Sequence, residues 1–192
     1  MSSDARSIID RLAPVRRSRT FAYRPKAALP YDPSKVPRSA SLLFDATVYI
    51  DQLKGQLPKP IIDLAASRTI VHGAPALAEL AVTIGVLDPA DRRTQATVAP
   101  IIEMLGRISS LRILSPTFEI WLEGAMLTGI LARTQSIAKQ NRRKFLNDAL
   151  LFLQAAHSGA VMVSRNSRDL DLLLQLMPDV DVLLYDRSSD PI

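Results

Sequence analysis

From Ser41 onward the chain alternates between short, wholly apolar runs and longer stretches with a helical apolar period. "SLLFD", "RTIVHG", "LRIL", "AVMVS" and "VDVLLY" lack polar alternation, the pattern of strands covered on both faces. Helical text lies between them. "PKPIIDLAAS" is a short helix, and "APALAELAVTIG" is a helix with Pro75 in its first turn and Gly85 as its C-cap. "PADRRTQATVAPIIEMLGRI" is mostly helical, with Pro100 as a kink or break. "SPTFEIWLEGAMLTGILARTQS" reads as a helix capped by Ser115 with Pro116 at the first position. "KFLNDALLFLQAAHSG" is a helix closed by Gly159, and "SRDLDLLLQLM" is a further helix. Strands separated by helices require crossovers and therefore a mostly parallel sheet.

Residues 1–40 break this rhythm. They hold five prolines (Pro14, Pro25, Pro30, Pro33, Pro37) and no sustained apolar period. Ser3 to Leu12 predicts a short helix with Ile8, Ile9 and Leu12 on one face, and Pro25 to Pro37 is expected to be extended. The chain thus divides into an arm, 1–40, draped over the domain or over a partner subunit, and a domain, 41–192. Its 192 residues suffice for one core plus such an appendage.

Charge sharpens that division. The net charge is +5, yet residues 1–40 carry nine Lys and Arg against Asp4, Asp10 and Asp32, while the remainder holds 15 basic and 16 acidic residues. The basicity belongs to the arm, which either attracts a phosphate backbone or is a solvated tail that keeps the protein in solution. With no cysteine, disulfides and thiolate metal sites are excluded, and two histidines are too few for a His-rich zinc site. The first twenty residues lack the apolar run of a secretory signal, and no apolar run is long enough to span a bilayer. The expectation is a soluble, cytoplasmic protein with no membrane partner.

The candidate chemistry starts at "SLLFDATVYID", where Asp45 interrupts apolar text. A buried carboxylate is costly unless something pairs with it, so Asp45 is either a structural cap or holds a cation. In open parallel sheets, ligands bind outside the carboxyl ends of the strands. Asp45 ends the first strand, and Glu79 lies one turn into the helix after the second. Asp148 lies near the start of the helix that leads to the fourth strand. Asp169 follows that strand, with Asn166 in the connecting loop. Carboxylates converging there repel one another unless a divalent cation sits among them, and oxygen-only ligation suits Mg²⁺ or Mn²⁺. Each acid also has a plainer reading: Asp148 and Asp169 as helix-start acids that complement the macrodipole, Glu79 as a solvated helix residue.

Three ordered motifs carry a family resemblance: "LLFDATVYID" with Asp45 and Thr47, "APALAELAV" with Glu79, and "NDALLFLQAAHSGAVMVSRNSRDLDLL" with Asp148, Arg165, Asn166 and Asp169. On them the chain is identified as a member of the PIN-domain family and resembles the VapC-like toxin ribonucleases over roughly residues 41–186. It departs from their pattern at Ala46 and Ala76, neither of which removes a carboxylate. The resemblance implies a three-layer α/β/α sandwich around a mostly parallel sheet of about five strands, joined here to an extended basic N-terminal arm.

The resemblance further implies a metal-dependent endoribonuclease, the toxin of a type II toxin–antitoxin pair. Asp45, Glu79, Asp148 and Asp169 would be catalytic. Asp45, Asp148 and Asp169 would ligate Mg²⁺ or Mn²⁺, supported by Thr47 and Asn166. RNA would be the substrate, a small antitoxin the protein partner, and a homodimer the assembly. Lys139, Arg142, Arg143, Lys144 and Arg165 are candidate phosphate contacts, the first four with a solvated helix end as the alternative. Trp121, Leu122, Met126 and Ile130 read as core or as partner surface. Two further functions stay open: a PIN-domain nuclease of RNA processing or decay without an antitoxin, and a non-catalytic scaffold that binds RNA or protein.

Overall fold

Five short strands form one sheet: β1 (Leu42–Phe44), β2 (Ile70–Gly73), β3 (Ile113–Leu114), β4 (Val161–Ser164) and β5 (Val182–Leu184). The structure is a computed structural model, and it describes residues 5–187. The strand order is β3-β2-β1-β4-β5, and every pairing is parallel. Phe44 stands level with His72 on one side and Val163 on the other, so the carboxyl ends of β1, β2 and β4 share one edge. The chain winds outward from β1 to β3, then crosses back to β4 on the far side of β1. That reversal opens a crevice beside β1 where a ligand can enter.

Successive strand residues face opposite sides of a sheet. Every residue of β1, β4 and β5 is buried, so both faces are covered. The cover comes from α2 (Ala46–Leu53), α3 (Lys59–Ala66), α4 (Ala74–Val86), α5 (Arg92–Gly106), α6 (Phe118–Thr134), α7 (Arg142–Ser158) and α8 (Ser167–Leu176). α7 is the central one: Ala149 to Leu153 are fully buried in succession, which requires neighbours all round the helix. One neighbour is α6, which approaches through Gly124, where a Cβ would lie 3.1 Å from Leu150 Cδ2. Gly159 closes α7 with φ of 66°, a left-handed cap that glycine adopts without strain.

Several boundaries differ from the sequence expectation for local reasons. α2 is absent from the apolar pattern because "ATVYIDQL" continues the apolar text of β1; the strand stops at Phe44 and Asp45 caps a helix. Gly85 lies inside α4, whose C-cap is Leu87. α5 runs unbroken through Pro100; Ala96, whose carbonyl loses its helical partner, is exposed to water. α6 begins at Phe118, with the Thr117 side chain accepting from Ile120 N–H in place of Ser115.

The expected fold class is corrected where it pictured an extended basic arm beside the sheet. The sheet is parallel throughout, and the leading segment is built into the body. Its helix α1 (Ala5–Leu12) packs on α6, with Ile8 and Leu12 in the core and Arg11 paired at 2.8 Å with buried Glu123. Arg133 then donates to the carbonyls of Pro14 and Arg17, both at 2.7 Å. Arg24 reaches α8, donating its backbone N–H and Nε to buried Asp171 at 2.8 and 2.5 Å. Pro30 accepts from Leu184 N–H at 2.7 Å, which covers the outer edge of β5. The residues of Ser3 to Leu12 that precede Ala5, and the domain's residues 188–192, lie outside the described residues.

The physical reason is visible in composition. The apolar residues of this segment are too few for a core of their own, but they complete one that α6 and α8 leave open. Leu12→Ala is therefore expected to destabilise the protein by about 2–4 kcal/mol, read as a lower urea midpoint. A segment resting loosely on the surface would leave that midpoint unmoved.

Candidate active site

Asp45 is the N-cap of α2. Its Oδ1 accepts from Ala46 N–H at 2.7 Å, and its Oδ2 accepts from Thr47 Oγ1 at 2.7 Å and Ser164 Oγ at 2.6 Å. β4 ends at Ser164, level with Asp45 across the ladder, so the sheet register places that hydroxyl. The carboxylate is buried yet well supplied with donors, and it faces the crevice end of the sheet.

Asp148 sits in the second turn of α7, only 4 % exposed. Asn166, the N-cap of α8, bridges it to Asp169: its Nδ2 donates to Asp148 Oδ2 at 3.0 Å and to Asp169 Oδ2 at 2.9 Å. Burial, and then the charges of Asp45 and Asp169, hold the Asp148 carboxyl well above the usual carboxylate range; Lys144 opposes them and Glu79 adds to the rise. Lys144 Nζ lies 3.5 Å from Asp169 Oδ2. Glu79 on α4 is half-buried and accepts from Asn147 Nδ2 at 2.8 Å. Burial raises its carboxyl, the Asn147 bond opposes that, and the Asp45 charge raises it further.

The four acids therefore act on one another electrostatically, each from a different element. Among the described residues, no three His, Cys, Asp or Glu side chains form a ready-made metal cage. The donor chemistry still fits a hard divalent cation: all donors are carboxylate oxygens, and buried Asp148 feels three other acids.

Thr47 does more than support Asp45. Its Oγ1 also accepts from Arg165 N–H at 3.2 Å, which ties the β4–α8 loop to α2. The Arg165 side chain is partly exposed and donates Nε to buried Asp51 Oδ2 at 2.8 Å. Asp51 is fully buried and also receives Tyr185 Oη at 2.9 Å and Arg187 Nε at 2.8 Å. Of the other basic candidates, Arg143 and Lys144 line a cavity of about 770 Å³ that also contains Glu79, Asn147 and Trp121. Arg142 Nε faces the Ile137 carbonyl at 3.4 Å, and Lys139 lies exposed in the turn before α7. Ile130 is core, Leu122 and Met126 are partly buried against it, and Trp121 is 47 % exposed.

Three residues of the site escaped the sequence reading. Ser164 had a signal, since it is the polar residue that closes the apolar run "AVMVS". Asn147 adjoins Asp148 but carries no charge to draw notice. Asp51 had none: it reads as an exposed position at the end of an apolar run.

No protein-family model matches the chain, and no curated protein matches it. Solved structures do. Rickettsia felis VapBC2 bound to a DNA fragment from its promoter superposes with a TM-score of 0.53 at 16% identity, covering 76% of this chain and 98% of that one. FitAcB from Neisseria gonorrhoeae gives 0.51 at 17%, covering 74% and 96%. VapBC-5 from Mycobacterium tuberculosis gives 0.50 at 18%, covering 77% and 99%. The chain shares their fold.

These neighbours correct the family reading. VapBC-5 belongs to the VapBC family of toxin–antitoxin systems, and at such identity the three neighbours show a common fold without placing this chain on the toxin side. Membership of the PIN-domain family and of its VapC-like toxin ribonucleases is therefore withdrawn, and the PIN-like label on the fold class goes with it. The motifs that suggested it are short, and no family model matches them.

The raised Asp148 carboxyl has a definite consequence for stability. Unfolded, the group ionises near its ordinary value of 3.8; folded, it keeps its proton to higher pH. Its contribution is complete below the ordinary value and is lost as pH rises through the folded one. A series of urea midpoints between about pH 4 and pH 8 should fall with pH, and Asp148→Asn should flatten that fall.

Proposed function

We propose that the chain is a metal-dependent endoribonuclease that hydrolyses RNA phosphodiester bonds. The observation that carries this is the gathering of Asp45, Glu79, Asp148 and Asp169 at one sheet edge, with Asp148 buried among the charges of the others. Asp45, Asp148 and Asp169 would hold Mg²⁺ or Mn²⁺. When bound, the ion supplies an acidified water and stabilises charge on the scissile phosphate.

The chain's own residues do the rest. Ser164 and Thr47 hold Asp45 in one orientation, and Asn166 holds Asp148 and Asp169 in theirs. Glu79, its carboxyl raised by burial, is suited to take a proton from the attacking water. Arg143 and Lys144 supply positive charge beside Glu79 for the phosphate.

The test is cleavage of total RNA with and without Mg²⁺, with the cut sites mapped. Cuts that need the cation and vanish in Asp45→Asn support the reading; metal-independent or absent cleavage by the wild-type chain overturns it. Because Asp148 and Glu79 hold their protons to higher pH, cation binding releases protons. The apparent Mn²⁺ affinity is therefore expected to rise with pH, measured by calorimetry in buffers of different ionisation enthalpy.

A second proposal concerns assembly. The neighbours are VapBC and FitAcB structures, one of them with bound DNA, and this favours a place for the chain in a two-protein toxin–antitoxin pair. Copurification with the product of an adjacent reading frame tests it, and the cleavage assay decides which side of the pair the chain takes. Among the described residues no helix is long and apolar enough to cross a membrane.

A further inference from the structure

The cavity beside Glu79 is larger than the acids require. It holds about 770 Å³, ample for a nucleotide, and it runs from Glu79 along α4 and α6 to Trp121. Val82, Pro116 and Leu146 form apolar wall, while Arg143 and Lys144 stand on the rim. Trp121 is 47 % exposed, where a core tryptophan would be covered. We infer that this groove is a nucleobase subsite, in which a base of single-stranded RNA next to the scissile phosphate stacks on Trp121 while Arg143 and Lys144 hold its phosphate. The inference rests on the nuclease reading for its phosphate position, and on the groove alone for its base position.

The pairing of features selects this occupant. Single-strand binding combines cations that follow the backbone with an exposed aromatic face for the base. Here both line one cavity, and that cavity also contains Glu79 of the candidate site. A duplex hides its bases in the stack and has none to offer the indole. An acidic peptide would set its carboxylates against Glu79, whereas a base is neutral and its phosphate is met by two cations. Gln140, also on the wall, provides an amide for a base edge.

The chain has one tryptophan, so its fluorescence reports on this position alone. The experiment titrates full-length Asp45→Asn protein, without added metal, with a short single-stranded RNA. Binding is followed by anisotropy and by Trp121 emission together. The expected result is quenching that saturates with binding, and far weaker quenching by the same sequence as a duplex or with abasic positions. In the same background Trp121→Ala should weaken binding roughly 5- to 150-fold, Trp121→Phe should recover most of it, and Arg143→Ala should lower the salt slope by about one unit.

RNA that binds without altering the emission, or that binds Trp121→Ala as tightly, overturns the inference. So does a blue shift on adding a protein partner with no response to RNA, which assigns the groove to protein. Its failure is distinct from that of the nuclease reading. Quenching by RNA with no cleavage by the wild-type chain sinks only the nuclease. Metal-dependent cleavage left unchanged by Trp121→Ala sinks only the subsite.

Discussion

Replacing Asp148 by Asn is expected to lower the proposed RNA cleavage on the order of 10²- to 10⁴-fold, while the folded protein at neutral pH becomes more stable. The two effects come from one cause. Asp148 is almost fully buried, and burial plus the charges of Asp45, Asp169 and Glu79 disfavour its ionised form. In the proposed reaction that ionised form would hold the cation, and losing such a ligand would forfeit several kcal/mol of transition-state stabilisation. Folding does not need it, because an amide oxygen can still accept from Asn166 Nδ2 without adding a charge. Asp45→Asn should match the loss of cleavage without the gain in stability, since Asp45 has donors of its own. An Asp148→Asn protein that cuts RNA at the wild-type rate removes Asp148 from the site; one that loses stability at neutral pH contradicts its strained burial.

The second large effect lies behind the site. Asp51→Ala is expected to destabilise the protein by about 2–3 kcal/mol and to lower cleavage as well. Asp51 is fully buried and joins Arg165, Arg187 and Tyr185. Removing it strands two guanidiniums and a phenol. The figure sits at or below the usual range for breaking a buried pair, because the arginine side chains are 32% and 39% exposed and can turn to water. Cleavage should fall because Arg165 opens the loop that carries Asn166, and its backbone is held by Thr47. Urea midpoints read the first effect. The second is read under folding conditions as a fall in kcat larger than any change in KM. Unchanged kcat in a folded Asp51→Ala protein would make the cluster purely structural.

Much of the element order is legible in the apolar pattern. The runs at "SLLFD", "RTIVHG", "LRIL", "AVMVS" and "VDVLLY" fall on β1 to β5; for β1, β4 and β5 the reason is that strands buried on both faces must be apolar without alternation, while β2 and β3 are mostly half-buried. α2 was hidden because its first residues, buried at Ala46, Val48 and Tyr49, continue the apolar text of β1 and cannot be told from a longer strand by periodicity. The acids stood out as charges within apolar text. The groups that orient them did not, because Ser164, Asn147 and Asp51 gain their roles from partners far away in the chain.

What the sequence determined by itself is the set of strands, most of the helices between them, and the acids that the strand ends carry. These follow from local periodicity and from charges that apolar surroundings make conspicuous. Only the tertiary structure decided the rest. It turned the basic leader into a strap, because Ile8 and Leu12 find their core on α6, more than a hundred residues away. It made Asp45 a cap and a hydrogen-bonded site residue at once, because register sets Ser164 beside it. It buried Asp148 among like charges, because α7 packs between its neighbours at the sheet edge where β1 and β4 end. Such placements depend on which distant segments meet, and no local pattern encodes that.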